Sequence, residues 1–298
     1  MNYKKLIKNQ KIRYQLLSLL SWIPDALMVR LQYWIKMGFW PDFDHPSRYT
    51  EKIQIYKIKY RNPLMHRCVD KFEVRKYVDS KGLGYILNDL YGIYGFVDDV
   101  DFKLLPDQFV IKSTLGGGGQ NVVVVKDKKN CDLEKIKKVL SSWLDVRNVG
   151  AIYGREWAYY KMKPRLIVEK FLDEVNGLVD YKFFCFNGDP KYLYVLTDRK
   201  MGESVKLGIY DVNFNKLNVY RCDEFRDENT LEKPLNFESM LIVARKLSSG
   251  FPHVRVDLYN IKGKIYFGEL TFYDGSGYFH YDPDEFDYQA GQYFTEYN

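Results

Sequence analysis

Cysteine and histidine are scarce in this sequence. Its 298 residues include four of each, and no two cysteines form a C-x-x-C pair. The cysteines lie far apart, at Cys68, Cys131, Cys185 and Cys222. This spacing argues against a structural zinc site and against a disulfide framework, and it fits a protein of a reducing cytoplasm.

Long apolar runs are also absent. No segment approaches the ~20 apolar residues that a membrane span requires. The apolar stretch after the first ten residues is interrupted by Arg13, Gln15, Asp25 and Arg30, so a signal-peptide pattern is missing as well. We therefore expect a cytoplasmic protein.

Charge is distributed unevenly along the chain. The formal net charge is +6, but residues 1–81 contain 17 basic and 7 acidic residues, a net +10, so residues 82–298 sum to −4. Neither an RNP motif nor zinc-finger spacing accompanies the basic region, which argues against nucleic-acid binding. An anionic substrate or an anionic lipid surface explains the asymmetry.

Residues 11–37 are predicted to be helical, with a break or kink near Pro24. Leu27, Leu31 and Trp34 recur at helical spacing beside Arg30. Such a basic amphipathic helix could lie on a membrane, which would make the protein peripheral at the inner face of the cell membrane. The alternative is that the apolar stripe packs on the neighbouring domain.

Strand patterns dominate from residue 108 onward, with helical patterns between them. Two stretches have helical spacing, 133–143 and 236–248. Strands and hairpins with interspersed helices predict an α+β protein built on antiparallel sheets rather than a βαβ repeat. The predicted strands are 108–112, 121–126, 165–171, 180–186, 191–196, 253–259 and 264–272.

Four consecutive glycines follow the first of these strands: Gly116, Gly117, Gly118 and Gly119. Without Cβ atoms, their backbone N–H groups can close over an anion, and Lys112 supplies a positive charge at the end of the strand. No G-K-[ST] follows, so this is not a Walker A motif. The segment indicates a loop that covers phosphate, and a flexible hairpin tip is the alternative.

Two carboxylates lie in the last predicted hairpin. A three-residue loop over 261–263 would place Arg255 opposite Glu269 and would leave Asp257 diagonal to Glu269 on the same face. Carboxylates at this separation, roughly 7–8 Å between Cα atoms, can share Mg²⁺ ions that also hold nucleotide phosphates. The alternative is a structural bridge between Arg255 and the carboxylates.

In this order the segments resemble the ATP-grasp superfamily, from about residue 70 to residue 277. Lys71, with Asp70 and Arg75, is similar to the first phosphate-binding lysine, and Lys112 with the glycines is similar to the second lysine and its lid. Residues 168–172, where an apolar strand turns polar, resemble the adenine hinge. Residues 255–257 and 269–271 resemble the metal-binding strands.

Within the superfamily the chain looks most like the TupA-like group, which is associated with teichuronopeptide and bacterial surface polysaccharides. Residues 50–54, 180–188 and 267–272 carry this resemblance. One position departs from the superfamily, because Thr271 stands where the metal motif usually has Asn. The departure suggests that the second metal ion is held more weakly or through water.

The resemblance implies an α+β ATP-grasp fold, in which two α/β lobes clamp ATP between antiparallel sheets, with a helical N-terminal extension. The implied divisions are a helical basic region at 1–69, an N-lobe with the glycine-rich lid at 70–165, and a C-lobe with the Mg²⁺-binding strands at 166–298.

The resemblance also implies ATP and Mg²⁺ as cofactors and assigns roles to individual residues. Arg255 would stabilise an oxyanion, Lys112 would act on phosphate in catalysis, and Arg199 is expected beside substrate. The implied metal ligands are Asp257, Glu269 and Thr271. The implied nucleotide contacts are Lys71, Lys112, Gly116, Gly117, Gly118, Gly119, Glu169, Lys170, Phe171 and Leu172, with Asp180 and Lys182 at the nucleotide and substrate. A surface salt-bridge network is the alternative for Asp180, Lys182 and Arg199.

The implied function is an ATP-dependent ligase that forms an amide between an amino acid and a uronic acid of a surface polysaccharide, through an acyl phosphate. The expected partners are an amino acid and a nucleotide-linked or lipid-linked glycan. Which partner supplies the carboxylate stays open. One alternative is a metal-dependent glycosyltransferase that uses Asp99 and Asp101 as a D-x-D motif, and another is an inactive ATP-grasp scaffold.

Overall fold

The computed structural model describes residues 10–117, 121–172, 178–199 and 205–297. Among these residues no helix combines the length and apolar character that crossing a membrane requires. The helices are α1 Gln10–Leu19, α2 Asp25–Met37, α3 Tyr49–Lys59, α4 Leu64–Val69, α5 Val74–Ser80, α6 Leu133–Trp143, α7 Gly150–Tyr153, α8 Phe237–Ser248 and α9 Glu285–Tyr293. The strands are β1 Leu90–Tyr94, β2 Phe109–Ser113, β3 Val122–Val125, β4 Leu166–Lys170, β5 Leu178–Phe186, β6 Asp189–Arg199, β7 Lys206–Asp211, β8 Tyr220–Arg221, β9 Phe225–Arg226, β10 His253–Ile261, β11 Lys264–Thr271 and β12 Tyr281–Asp282.

The smaller main sheet has four antiparallel strands in the order β1-β4-β2-β3. Its strands are rich in β-branched residues, which suit a pleated surface. Helix α6 covers one face and buries Leu140 and Trp143 against Phe109 and Val168. The other face presents Lys112, which pairs with Ile167 of β4 and Val122 of β3.

The larger sheet has six strands in the order β11-β10-β5-β6-β7-β9. Strand β10, next to the edge strand β11, alternates in character. Val254, Val256 and Leu258 are fully buried in the main core, together with α8, whereas Arg255 and Asp257 belong to the opposite face. This alternation is the pattern that the sequence predicts. It leaves a charged face directed away from α8.

The hairpin of β10 and β11 differs from its predicted register. The turn has two residues, Lys262 and Gly263, both with positive φ (50° and 82°), which is the conformation that tight hairpins favour. A bulge at Gly268 then shifts the pairing by one residue, so Asp257 lies opposite Glu269. A Cβ at Gly268 would meet the Asp257 carbonyl oxygen at 2.9 Å, which explains the glycine.

The same two features correct the partner of Arg255. Arg255 lies opposite Thr271, not opposite Glu269 as the three-residue loop predicted. The two carboxylates are therefore direct cross-strand neighbours on one face, closer than the predicted diagonal. The prediction failed because it assumed a three-residue turn and did not include the bulge.

Helices α3, α4 and α5 pack into the core of the six-stranded sheet, where Tyr49, Ile53 and Met65 are fully buried. The break near Pro24 is confirmed, since α2 begins at Asp25. Helix α5 begins only at Val74, because residues 71–73 form a turn before it. Strand β4 belongs to the four-stranded sheet, so that sheet extends past the predicted lobe boundary at residue 165; the three divisions stay a prediction.

Candidate functional site

Three charged side chains lie side by side on the six-stranded sheet, one from each of its strands β5, β10 and β11. Lys182 pairs with Asp257, and Asp257 pairs with Glu269. The Nζ atom of Lys182 lies 2.5 Å from Asp257 Oδ2 and 3.0 Å from Asp180 Oδ2. The strand pairing thus collects charges from three distant stretches of sequence into one row.

Arg255 links this row to the hydroxyl of Thr271. Its Nε donates to Asp257 Oδ1 at 2.7 Å, and its Nη2 donates to Asp257 Oδ2 at 2.7 Å. The same Nη2 lies 3.3 Å from Glu269 Oε1 and 3.0 Å from Thr271 Oγ1. Because Arg255 is only 7% exposed, its bidentate pair with Asp257 is shielded from water.

Asp274 extends the network and was not predicted. One carboxylate oxygen accepts from Arg255 Nη1 and the other accepts from Arg221 Nη1 at 3.0 Å. Arg221 also pairs with Asp223 at 2.6 Å. These residues come from the short strand β8 and the turn after β11, which have no periodic pattern. The one signal in the sequence is that residues 271–298 contain six acidic residues and no basic ones.

Lys71 joins the two sheets. Its Nζ donates to the carbonyl oxygen of Gly116, in the glycine-rich loop, and lies 3.3 Å from Glu269 Oε2 on the six-stranded sheet. Its backbone N–H donates to Thr114 O at 3.0 Å, just after β2. One lysine therefore contacts both the predicted lid and the predicted metal ligand.

Lys112 and Glu169 form an ion pair on neighbouring strands of the four-stranded sheet. Lys112 Nζ lies 2.8 Å from Glu169 Oε2, and Arg75 Nη1 lies 3.2 Å from Glu169 Oε1. Arg75 also donates to Asn88 O at 2.8 Å. Arg75 was quoted in the resemblance without a role, and the structure places it on the carboxylate predicted to meet adenosine.

The remaining predicted nucleotide contacts are less connected. The ammonium of Lys170 lies 3.1 Å from Asp89, and 54% of the Lys170 side chain is exposed. Phe171 and Leu172 follow directly and are partly buried. Gly118, Gly119 and the side chain of Arg199 lie outside the part of the chain that the structure describes.

Neighbouring groups of opposite charge determine the protonation states of Glu269 and Lys182. Burial alone would raise the pKa of Glu269, but Lys71, Lys182 and Arg255 outweigh it and hold the pKa of this carboxyl well below its usual value. Burial also favours the neutral amine of Lys182, but Asp180 and Asp257 hold its pKa above the usual value. Both groups are therefore charged at neutral pH.

Asp257 and Glu269 offer the ligands for a divalent cation. Mg²⁺ is commonly held by one or two carboxylates together with water and substrate phosphates, so two neighbouring carboxylates and the Thr271 hydroxyl fit it. Within the described ranges, no group of three or more Asp, Glu, His or Cys side chains is arranged to hold a metal ion by itself. The donor set therefore fits a cation that is shared with a nucleotide.

The D-x-D residues lie apart from this network. Asp99 ends a short helical turn, and both Asp99 and Asp101 are exposed, while Val97 and Val100 beside them are buried under the four-stranded sheet. Asp101 Oδ1 accepts from the backbone of Lys103 at 2.9 Å. This local bond is typical of a surface turn.

The model of one protein family, described as TupA-like ATPgrasp, matches residues 51–295. This chain belongs to the TupA-like ATP-grasp family. The match covers most of the sequence and confirms the predicted α+β ATP-grasp fold class. It also agrees with the prediction of an ATP-grasp ligase. The curated proteins contain no match to this TupA-like chain.

Solved structures that match this chain include two amino acid ligases. D-alanine–D-alanine ligase from Bacillus anthracis is 18% identical over 69% of this chain and 57% of its own, with a TM-score of 0.41. L-amino acid ligase from Bacillus licheniformis is 17% identical over 72% of this chain and 43% of its own, with a TM-score of 0.43.

D-cycloserine synthetase DcsG is 14% identical over 78% of this chain and 72% of its own, with a TM-score of 0.43. The TupA-like chain spans 55 to 61% of the chain length in three structures of D-alanine–D-alanine ligases, two of them of the Bacillus anthracis enzyme. The family assignment therefore rests on the family model, not on these distant likenesses.

Proposed function

We propose that this protein is an ATP-dependent carboxylate–amine ligase. The observation that carries the proposal is the position of Lys71, whose Nζ contacts both the Gly116 carbonyl and Glu269. A cation in this place would meet phosphates held between the two sheets. Membership of an ATP-grasp family supports ATP as the nucleotide.

The proposed reaction has two steps. The γ-phosphoryl group of ATP passes to a substrate carboxylate, which gives an acyl phosphate and ADP. An amine then attacks the acyl carbon, phosphate leaves, and the amine loses a proton as the amide forms. Such chemistry depends mainly on positioning and on neutralising charge, so it needs no nucleophilic Ser or Cys.

The charged residues have distinct roles in this proposal. Lys71, Lys112 and Lys182 neutralise the phosphates. Asp257 and Glu269 would hold Mg²⁺, which supplies further charge neutralisation when it is bound. Arg255 is the proposed stabiliser of the oxyanion at the acyl carbon, although its three nitrogens already donate to neighbouring side chains.

The proposed substrates are an amino acid and a uronic acid of a surface polysaccharide, nucleotide-linked or lipid-linked. The association of the TupA-like group with teichuronopeptide supports this choice, and the net +10 of residues 1–81 favours an anionic acceptor. The simplest polarity joins the amine of the amino acid to the carboxylate of the sugar. Free cysteines support a cytoplasmic location, where ATP is available.

Nucleotide consumption tests this function. The purified protein is incubated with ATP, Mg²⁺ and pools of amino acids and uronic acids, and ADP, phosphate and product masses are measured. We expect ADP only when both pools are present, and a product whose mass is that of the two substrates less one water. Lys135→Ala is a matched control for Lys112→Ala, because Lys135 is exposed on α6, which covers the opposite face of the same sheet.

Two measurements can count against the ligase proposal: nucleotide consumption and thermal stabilisation by ligands. A folded protein that binds ATP but consumes none with any pool would contradict the ligase proposal. Thermal stabilisation by a UDP-sugar instead of ATP would favour the glycosyltransferase alternative. No observation of the structure favours that alternative, since Asp99 and Asp101 lie on an exposed turn.

A further inference from the structure

The N-terminal helices carry an unusual density of exposed apolar side chains. Of the 21 large hydrophobic side chains that are exposed among the described residues, nine lie between residues 12 and 40. Isolated exposed apolar residues are normal, but a concentrated set marks an interaction surface. We call this set the N-terminal apolar surface: Ile12, Leu16, Leu19, Leu20, Trp22, Leu27, Trp34, Ile35 and Trp40.

Helix α1 turns its apolar stripe toward solvent. Ile12, Leu16 and Leu19 recur at the i, i+4, i+7 spacing of one helix face, and they are 47%, 44% and 70% exposed. The contact with the rest of the protein comes from another face, where Tyr14 stacks on Tyr153 at 4.5 Å between ring centroids. An amphipathic helix ordinarily buries its apolar stripe, whereas α1 exposes it to solvent.

Helix α2 has a buried face and a second exposed apolar stripe. Met28, Val29 and Tyr33 are buried. Trp34 lies on the outer side and stacks on Trp40 at 5.5 Å, with ring planes 7° apart. The two indole rings thus pack on each other and stay about half exposed. The packing of α2 on the core therefore accounts for one of its faces only.

The sequence that carries the N-terminal apolar surface is mostly basic. Residues 1–40 contain seven basic residues and a single acidic one, Asp25. Asp25 is already paired with Arg155 at 2.9 Å. An apolar surface with leucine and tryptophan in a basic stretch of sequence is complementary to the interface of an anionic bilayer, where indole rings prefer to lie. A second copy of this chain would bring two basic surfaces together, which like charges oppose.

We propose that the N-terminal apolar surface docks this protein on membranes that contain anionic lipids. The helices lie in the plane of the interface, with Leu16, Leu19 and Trp22 entering the headgroup region. This docking does not depend on the proposed ligase reaction. If that reaction acts on a lipid-linked glycan, docking would place the site beside its acceptor.

Vesicle sedimentation tests the proposal with the full chain. Vesicles of phosphatidylglycerol and phosphatidylcholine are compared with vesicles of phosphatidylcholine alone, at low and at physiological salt. We expect binding to the anionic vesicles that weakens as salt rises. The triple variant Leu16→Ser, Leu19→Ser, Trp22→Ser should partition at least about tenfold less, because each substitution removes apolar area that the interface would bury.

Matched variants keep the test specific. Leu104→Ser and Leu235→Ser remove side chains that are at least as exposed but lie elsewhere, and they should bind vesicles like the unmodified protein. ATP binding by every variant checks that the fold is retained, so a failed ligase assay would not affect the conclusion. Equal, weak binding to both vesicle types would overturn the proposal. So would a dimer in solution that the triple variant converts to a monomer.

Discussion

The two large sheets hold their charged residues in different ways. In the six-stranded sheet, Arg255, Asp257 and Asp274 are 7%, 2% and 3% exposed, and each is bonded to a residue of opposite charge. In the four-stranded sheet, Lys112 meets Glu169 at an accessible position, with 27% of the lysine side chain exposed. One sheet therefore has a closed network and the other has an open pair.

This difference suggests that the buried network and the Lys112–Glu169 pair have different roles. Buried, mutually bonded charges are fixed before any ligand arrives, which is the property that electrostatic catalysis needs. A partly exposed lysine can exchange a carboxylate for a phosphate at little cost when its partner keeps a second cation. Glu169 has such a second cation in Arg75. We therefore expect substitutions in the buried network around Arg255 to affect folding more, and substitution of Lys112 to affect nucleotide binding more.

Asp274→Ala should have the largest effect on stability. It leaves Arg221 and Arg255 buried without their shared carboxylate, and breaking a buried pair costs about 3–5 kcal/mol. Urea unfolding measures the change. Asp223→Ala is the control, because Asp223 also pairs with Arg221 but its side chain is 49% exposed; it should cost less than about 1 kcal/mol. Equal losses for the two variants would remove the distinction between buried and open charges.

Lys112→Ala should affect ATP more than folding. A charged hydrogen bond contributes about 1.5–3 kcal/mol, so we expect ATP affinity to fall by about 10- to 100-fold in titration calorimetry. The free energy of unfolding should change by less than about 1 kcal/mol, because Glu169 keeps Arg75. If Lys112→Ala destabilises the protein as strongly as Asp274→Ala does, the proposed difference between the Lys112–Glu169 pair and the buried network around Arg255 is wrong.

The acid sensitivity of stability should reside in the six-stranded sheet. His253 is fully buried at the start of β10, where burial lowers its pKa to about 3. The unfolded chain binds a proton below about pH 6.5 while the folded protein does not, so stability is complete above that pH and falls as pH drops toward 3. The expected loss between pH 7 and pH 5 is about 2 kcal/mol.

Unfolding of His253→Gln at pH 7, 6 and 5 checks this origin. Gln can still donate and accept hydrogen bonds beside Tyr49 and the Cys185 carbonyl, but it does not titrate. Its stability should fall less steeply with acidification than that of the unmodified protein. Parallel curves for the two proteins would place the acid sensitivity in other groups.

Thr271→Asn should have the smallest effect. The Thr271 hydroxyl lies 3.1 Å from Glu269 Oε1, and an amide oxygen there would add a ligand of the kind that Mg²⁺ accepts. We expect the Mg²⁺ concentration for half-maximal activity to fall by no more than about tenfold. Thr271→Ser keeps the hydroxyl and is the control. Unchanged Mg²⁺ dependence in Thr271→Asn would show that this position does not limit metal binding.

Local pattern was enough to predict the elements of the fold but not all of their pairings. Alternation placed Arg255 and Asp257 on one strand face, and the glycine-rich loop was found from composition. The partner of Arg255 was wrong, because a two-residue turn and the bulge at Gly268 have no periodic signal. The sequence therefore predicts the strand face on which a residue lies better than it predicts the cross-strand partner of that residue.

Tertiary contacts account for the residues that the sequence analysis missed. Arg221 and Asp274 are 53 residues apart along the chain and meet only when β8 and the turn after β11 come together. Arg75 reaches Glu169 across 94 residues. The spacing of motifs along the sequence does not indicate such contacts, so the closed network around Arg255 could be recognised only from the structure.

Trapping the acyl phosphate tests the central claim most directly, because that intermediate is what a ligase site between the two sheets would form. The protein is incubated with ATP, Mg²⁺, a pool of uronic acids and hydroxylamine, without an amino acid. Hydroxylamine displaces phosphate from an acyl phosphate and leaves a hydroxamate, which mass spectrometry detects. The account predicts a uronic-acid hydroxamate and equimolar ADP, both strongly reduced in Lys112→Ala but not in Lys135→Ala. ADP release without any hydroxamate, from uronic acids or from amino acids tested in the same way, would contradict it.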